Sequence, residues 1–391
     1  MNLVFVTETF PPEINGVAMT LRQIATELGR RGHGVTVFRP LRDDLPATAP
    51  DPTFREIAVP GFPVPGYALI RFGLPARGRF LRAWRESRPD LVHVATEGPL
   101  GASAISAARS LGIPVTSSFH TNFHTYTGDY GLPLLRRAVL AWLRRVHNRT
   151  ACTFAPTQEL VNELAGLGFR DLAVLSRGVD TGRFRPERRQ AALRARWKAG
   201  PNDPVVIHVG RLAAEKNYPL LFRAFDAIRA ANPSCRFVVV GDGPLRRRLA
   251  REQPNVHFPG FIVGVELAQH YASADVYLHP SLTETFGNVL TEAMASGLAV
   301  AGFDYAAARQ FLRSEVNGLS MPCDQPDQLV AAGVRLATDA PLRLRLRSAA
   351  RLAVEGQSWE KVITGFESQL EAVASRASAS HLRPHPVRSA A

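Results

Sequence analysis

The chain has 391 residues, 46% hydrophobic and 21% charged, a globular composition long enough for two hydrophobic cores. Its formal charge of +13 favours anionic partners such as nucleotide phosphates and acidic lipid headgroups, but no zinc-finger or aromatic-basic sheet motif marks a nucleic-acid module. No apolar run reaches the roughly 18 residues of a membrane span. Cys152, Cys235 and Cys323 are too scattered for a disulfide framework or a zinc cluster. The segment Met1-Asn2-Leu3-Val4 lacks a basic leader region and runs straight into strand-like sequence, so the cytoplasm is the expected location. Arginine supplies nearly all the positive charge; lysine occurs only at Lys198, Lys216 and Lys361. Genomic base composition accounts for such a skew more readily than function does.

A first strand is predicted at Leu3 to Thr7, followed by a glycine-bearing loop, Glu8 to Val17. Leu21, Ile24, Ala25 and Leu28 at helix spacing predict a helix to about Arg31, closed by Gly32 and Gly34, and Val35 to Phe38 forms the next strand. Asp90 to Val94 and Val115 to Ser118 repeat the pattern around a helix near Ser103 to Leu111. Leu134 to Arg149 is an amphipathic helix, read as a surface helix packed on its domain, with a helix lying on an anionic membrane as the rival reading. Phe184 to Asn202 reads as a linker with a short helix. A second series follows: strands at Val205 to Val209, Phe237 to Val240, Val256 to Phe258, Val276 to His279 and Leu298 to Ala301, with helices at Pro219 to Ala230 and Asn288 to Ser296. Alternating strands and helices predict α/β architecture with mostly parallel sheets. The expected division is a Rossmann-like domain over 1–182 and a second one over 183–358. A last helix is expected over 359–374, and a disordered tail covers 375–391.

Four constellations sit where strands hand over to helices, the place where open parallel sheets hold ligands. Gly16 opens a helix, where close backbone approach and free N–H groups favour an anion. Arg211 and Lys216 follow the strand at Val205 and form a two-cation clamp suited to a departing diphosphate. Gly241-Asp242-Gly243-Pro244 reads as a turn. Glu284-Thr285-Phe286-Gly287-Asn288-Val289-Leu290-Thr291-Glu292 brackets a helix start with two carboxylates, one suited to sugar hydroxyls and one to a ribose diol. A glycosidase acid/base pair is the competing idea, but a helix start between the carboxylates suits a nucleotide-sugar better. His120, with Asn122, His124 and Tyr126, makes a polar loop after the strand at Val115.

Taken in order, the loop Glu8 to Val17, Ser118-Phe119-His120-Thr121, Ser176-Arg177-Gly178-Val179-Asp180, Gly210 to Lys216, Gly241 to Pro244 and Glu284 to Glu292 resemble glycosyltransferase family 4. The resemblance implies a retaining enzyme with the GT-B fold, two Rossmann-like domains facing a cleft, with 1–182 acceptor-binding, 183–358 nucleotide-sugar-binding and the helix over 359–374 crossing back to the first domain. Arg211 and Lys216 would then hold the donor diphosphate and Glu292 the ribose. Glu284, Phe286, Gly287 and Asn288 would hold the donor sugar and distal phosphate, Gly16 and Gly243 would line the nucleotide site, and His120 would stand by the reacting sugar. His120, Arg211, Lys216 and Glu284 are the implied catalytic set. No metal and no cofactor is implied. The donor is expected to be GDP-mannose, or else a UDP-sugar in a glucosyl- or glucuronosyltransferase of glycolipid synthesis. The acceptor is expected to be lipid-linked or a glycan, met at an anionic, peripheral membrane surface. Phe303-Asp304-Tyr305-Ala306-Ala307-Ala308 replaces the Gly-Gly pair of many members, which leaves the donor sugar open. Rival classes are a non-catalytic nucleotide-sugar-binding protein and a phosphorylase or epimerase.

Overall fold

The computed structural model describes residues 1–13, 15–42, 49–64, 67–120 and 133–381. The chain divides into two units, one of residues 1–176 with everything from Val362 onward, the other Arg177–Lys361. The boundary falls six residues before the expected one. Each unit is a parallel sheet covered by helices.

In the first unit the strands β1 (Asn2–Val6), β2 (Gly34–Pro40), β3 (Arg55–Val59), β6 (Leu91–Val94), β7 (Val115–Ser118), β8 (Cys152–Ala155) and β9 (Leu172–Val174) lie in the order β3-β2-β1-β6-β7-β8-β9. A hairpin of β4 (Gly61–Val64) and β5 (Tyr67–Gly73) stands apart. Helices α1 (Gly16–Arg30), α2 (Arg77–Glu86), α3 (Pro99–Ser110), α4 (Pro133–His147) and α5 (Gln158–Gly166) connect the strands. Helix α1 presents Leu21, Ile24, Ala25 and Leu28 to the core, as their spacing predicts. Strand β7 is buried yet polar, and its hydroxyls are satisfied inside the protein. Thr116 and Ser118 lie 2.9 and 3.0 Å from the two nitrogens of His93, and Ser117 lies 2.9 Å from His147 Nδ1.

The second unit orders its strands β12 (Val256–Gly260), β11 (Arg236–Val240), β10 (Val205–Val209), β13 (Val276–His279), β14 (Ala299–Phe303) and β15 (Leu319–Met321). Its helices are α6 (Ala191–Arg196), α7 (Tyr218–Ala231), α8 (Arg246–Glu252), α9 (Gly264–Ser273), α10 (Asn288–Ala295), α11 (Ala307–Phe311), α12 (Pro326–Thr338) and α13 (Ala340–Glu355). Apolar clusters cover both sheet faces, one around Phe225, Phe237 and Leu278, the other around Tyr271, Tyr277 and Met294. Strand order reverses between β1 and β6 in the first sheet and between β10 and β13 in the second. A crevice opens at the carboxyl ends of such a switch point.

Two expectations need correction. The stretch read as a linker is built into the second unit: Arg194 is 5% exposed and bonds Ser273 O, Gly200 O, Asp203 O and Asp275. The last helix, α14 (Trp359–His381), runs past the predicted end at Ala374, so Ser375 to His381 are helical. It is anchored in the first unit, where Phe366 meets the rings of His93 and Phe154 at 5.2 and 5.0 Å. Glu367 lies 2.6 Å from both Arg31 and His33. The remainder of the expected tail lies outside the described residues.

Candidate active site

The loops after β10 and β13 are stitched together at the second switch point. Thr283 Oγ1 donates to Glu215 O at 3.0 Å, and Asn217 Nδ2 donates to Pro280 O at 3.2 Å. Asn217 adopts φ +56°, a left-handed conformation that asparagine tolerates, and so turns the chain from the Ala214–Lys216 turn into α7. This brings Lys216 Nζ to 2.5 Å from Glu284 Oε1, with the side chains 19% and 13% exposed. Burial works to raise the Glu284 carboxyl, but Lys216 and His279 beside it outweigh that and hold it below the ordinary carboxylate range. Arg211, by contrast, is 53% exposed and 3.8 Å from Glu215.

Gly287 caps α10 with φ +95°, and no side chain caps the helix start. The first N–H groups of α10, at Asn288 and Val289, therefore face outward with the positive end of the helix dipole behind them. Phe286 is buried, and its carbonyl accepts the Ala307 N–H at 2.9 Å. The segment Phe303 to Ala308 thus packs directly behind the loop. Glu292, half-buried, accepts from Tyr271 Oη at 3.2 Å. Burial pushes its carboxyl up to about 7 against the opposing effects of that hydroxyl and of Arg183.

Gly243 supports this arrangement from behind. A Cβ there would come within 2.5 Å of Leu212 O, and one at Gly241 within 1.9 Å of Gly210 O. The loops bond through Leu212 N–H to Asp242 O at 2.9 Å and Leu245 N–H to Leu212 O at 2.9 Å. Glycine is required here so that the turn can lie against the backbone that carries Arg211.

In the first unit Gly16 is exposed at the start of α1, with open space where a Cβ would be. The Asn15 side chain accepts from the Val17 and Ala18 N–H groups, so two of the helix donors are engaged locally. His120 is half-buried just after β7. Asn122, His124 and Tyr126 lie outside the described residues.

Sequence reasoning missed Glu8, His208 and His279. Glu8 accepts the N–H groups of Gly73 and Leu100 at 2.5 and 2.9 Å, and burial lifts its carboxyl to about 7. His208, next to last in β10, and His279, which ends β13, flank the switch point, and burial holds both imidazoles near 4. Their position at strand ends was readable; nothing distinguished them in type from core histidines.

Two parallel-sheet units, with a cation–carboxylate pair and an uncapped helix start at a switch point, define a nucleotide-sugar glycosyltransferase of the GT-B class. The chain belongs to glycosyltransferase family 4: residues 14–183 match the sequence model for Glycosyltransferase Family 4, and residues 203–339 that for Glycosyl transferases group 1. A GDP-mannose-dependent alpha-mannosyltransferase of Mycobacterium tuberculosis is 35% identical over 381 residues, spanning 96% of this chain and 98% of that protein. Sulfoquinovosyl transferase SQD2 of Arabidopsis thaliana is 30% identical over 325 residues, 81% of this chain and 63% of its own. Among solved structures, Anabaena HepE in complex with UDP superposes with a TM-score of 0.77 at 20% identity, covering 95% of this chain and all of the other, a likeness of fold. One cluster, His33, Glu367 and Glu371, brings three ligand-type atoms within 4.8 Å of one another, but Arg31 already engages Glu367, and an ion pair accounts for it.

Proposed function

We propose that the chain is a retaining mannosyltransferase that moves mannose from GDP-mannose to a hydroxyl of a lipid-linked or glycan acceptor. The observation that carries this reading is the buried Lys216–Glu284 pair beside the uncapped start of α10. Full-length similarity to the mycobacterial GDP-mannose-dependent enzyme supports the choice of donor. A diphosphate arriving at this point competes for the Lys216 ammonium, frees Glu284 for sugar hydroxyls, and rests on the N–H groups of Asn288 and Val289. Arg211, exposed nearby on the same loop, adds charge-assisted donors as the glycosidic bond breaks and negative charge grows on the leaving phosphate. Glu292, below that helix start and fixed by Tyr271, takes the ribose diol. The roles of Gly16 and His120 rest on the resemblance of their segments to family 4 and on their positions after β1 and β7. Residues 1–182 are assigned to the acceptor and 183–358 to the donor. A UDP-sugar-dependent glucosyl- or glucuronosyltransferase is the second reading, its glucosyl form favoured by the similarity to the alpha-monoglucosyldiacylglycerol synthase of Streptococcus pneumoniae, 28% identical over 77% of this chain and 70% of its own.

Product analysis with a panel of nucleotide sugars tests this. Release of GDP from GDP-mannose only when acceptor is present, with an α-linked product by NMR, is the expected result. Turnover of UDP-sugars alone establishes the second reading, and binding without turnover establishes a non-catalytic protein.

For membrane association, α2 and α4 are the arginine-rich helices of the first unit to weigh. Phe80 and Trp84 of α2 stack on each other at 4.8 Å inside the core and cannot reach an interface. Helix α4 buries Leu143, Val146 and His147 and exposes Trp142, at 42%, among Arg137, Arg144 and Arg145. We therefore assign peripheral contact with anionic lipid to α4. Salt-sensitive co-sedimentation with anionic but not neutral vesicles, reduced severalfold by Trp142→Ser, is expected; equal binding of the variant removes α4 from the assignment.

A further inference from the structure

We propose that His279 is a positioning residue for Glu284: when Lys216 leaves that carboxylate for the diphosphate of a donor, the His279 Nε2–H takes its place. This rests on the donor-site reading above and concerns how the site tolerates its own loading. Lys216 cannot hold a diphosphate and remain the full partner of a carboxylate that is only 13% exposed. Without the ammonium that carboxylate keeps only the Ser281 hydroxyl, a neutral donor, and a buried charge so poorly compensated is strongly unfavourable. Something must therefore replace the ammonium, and it must already be close.

Among the described residues, His279 is the other basic group near Glu284, with Nε2 4.0 Å from Oε1 and a side chain 6% exposed. Its surroundings aim it. Tyr277 Oη lies 3.2 Å from His279 Nδ1 and 3.5 Å from Val209 O, and we assign the tyrosine proton to the shorter of the two contacts, with Nδ1 as acceptor. That leaves the imidazole proton on Nε2, on the Glu284 side. The ring also stacks on Tyr277 at 5.9 Å and 25°. Two glycines leave it room to move: a Cβ at Gly302 would stand 3.2 Å from His279 Cβ, and one at Gly287 3.6 Å from Nε2. Burial keeps the imidazole neutral near physiological pH. It therefore offers a hydrogen bond without adding a second cation that would hold Glu284 away from sugar hydroxyls. A gap of 4.0 Å is too long for a bond in the resting state and closes with a shift of about 1 Å.

The test has two arms. In the first, melting temperatures of wild type, Lys216→Met, His279→Leu and the double variant are compared at pH 8 without ligand. Removing the ammonium should make Glu284 depend on His279, so the double variant should melt at least about 2 °C below the sum of the single effects. His279→Gln, whose amide restores an N–H, should return the double background to additivity. Additive effects without Gln rescue overturn the proposal. In the second arm, His279→Leu should raise KM for whichever nucleotide sugar the wild type uses by about fivefold or more, with nucleoside diphosphate affinity changed less than twofold and His279→Gln close to wild type. Equal losses of both, unrescued, mean a merely structural histidine and overturn it as well. If wild type turns over no nucleotide sugar, the functional reading fails, while the melts still decide the coupling between His279 and Glu284.

Discussion

Arg211 and Lys216 share one loop yet do different work in the resting protein. Lys216 is locked onto Glu284, whereas Arg211 is largely exposed. Arg211→Ala therefore isolates catalysis from folding: turnover should fall roughly 100-fold with the melting temperature unchanged. A fall in stability with turnover intact would remove Arg211 from the diphosphate. Glu292 makes the complementary case. Its carboxyl is raised to about 7 by burial, so whatever stability it adds is present at low pH and lost as pH rises through 7. Glu292→Ala should accordingly be no less stable than wild type at pH 8, while calorimetry should find nucleoside diphosphate affinity reduced about tenfold or more. Unchanged affinity would sink the ribose assignment. These residues were legible as candidates because they follow glycine-bearing strand ends within a few positions in the sequence. The neighbouring histidines were not, because only packing shows which way an imbedded ring points.

At the scale of elements, the segment from Arg185 to Asn202 shows how a charged stretch can be architecture. Asp275, 5% exposed at the start of β13, accepts Arg189 at 3.1 Å, Arg194 at 3.0 Å and Arg347 at 2.9 Å, as well as the Val205 N–H at 3.0 Å. One carboxylate thus ties α6, α13 and the amino ends of β10 and β13 together. Removing it leaves buried guanidinium groups uncompensated, a loss of about 3–5 kcal/mol. Asp275→Ala should lower the melting temperature by roughly 10 °C. A shift under about 2 °C would show that backbone carbonyls alone hold the arginines. The genomic skew toward arginine explains how many there are, not where these three sit. The extension of α14 to His381 has a similar cause. Its sequence is polar and rich in Ser and Ala, and the helix is fixed by Phe366 and Glu367 reaching distant parts of the first unit.

Across the whole molecule, burial leaves a predictable imprint on acid stability. His93 is held near 3, and His147, His208 and His279 near 4, all by burial first. Each is neutral in the folded state and takes up a proton on unfolding below about pH 6.5, so its contribution is intact above that pH and lost as pH falls. Glu8 and Glu292, raised to about 7, act oppositely by giving up protons on unfolding. The first unit carries two such histidines and one such carboxyl, a net uptake of about one proton between pH 6.5 and 4.5; the second carries the same and also His257, lowered by burial as well. Stability should then fall by about 1.4 kcal/mol per pH unit in the first unit and by no less in the second. Denaturant titrations at pH 7, 6 and 5 will show this, and a flat profile would mean that the histidines are hydrated or protonated in the native state.

Hydrophobic periodicity and glycine-bearing strand ends were enough to establish two parallel α/β units and the limits of β7, β10 and β13, and they marked Arg211, Lys216, Glu284 and Glu292 as candidates. These signals are local, since strand, turn and helix start are written within a few residues of each other. The short strands β3, β8, β9 and β15 and the hairpin of β4 and β5 carried no such mark, because their stability comes from neighbours far along the chain. Tertiary structure alone decided that Lys216 meets Glu284, that Gly243 serves the backbone behind Arg211, and that Phe80 and Trp84 face inward. It also decided that His279 stands 4.0 Å from the site's central carboxylate. Partners separated by many residues are chosen by packing geometry, and a buried polar group takes its meaning from whatever the fold sets against it.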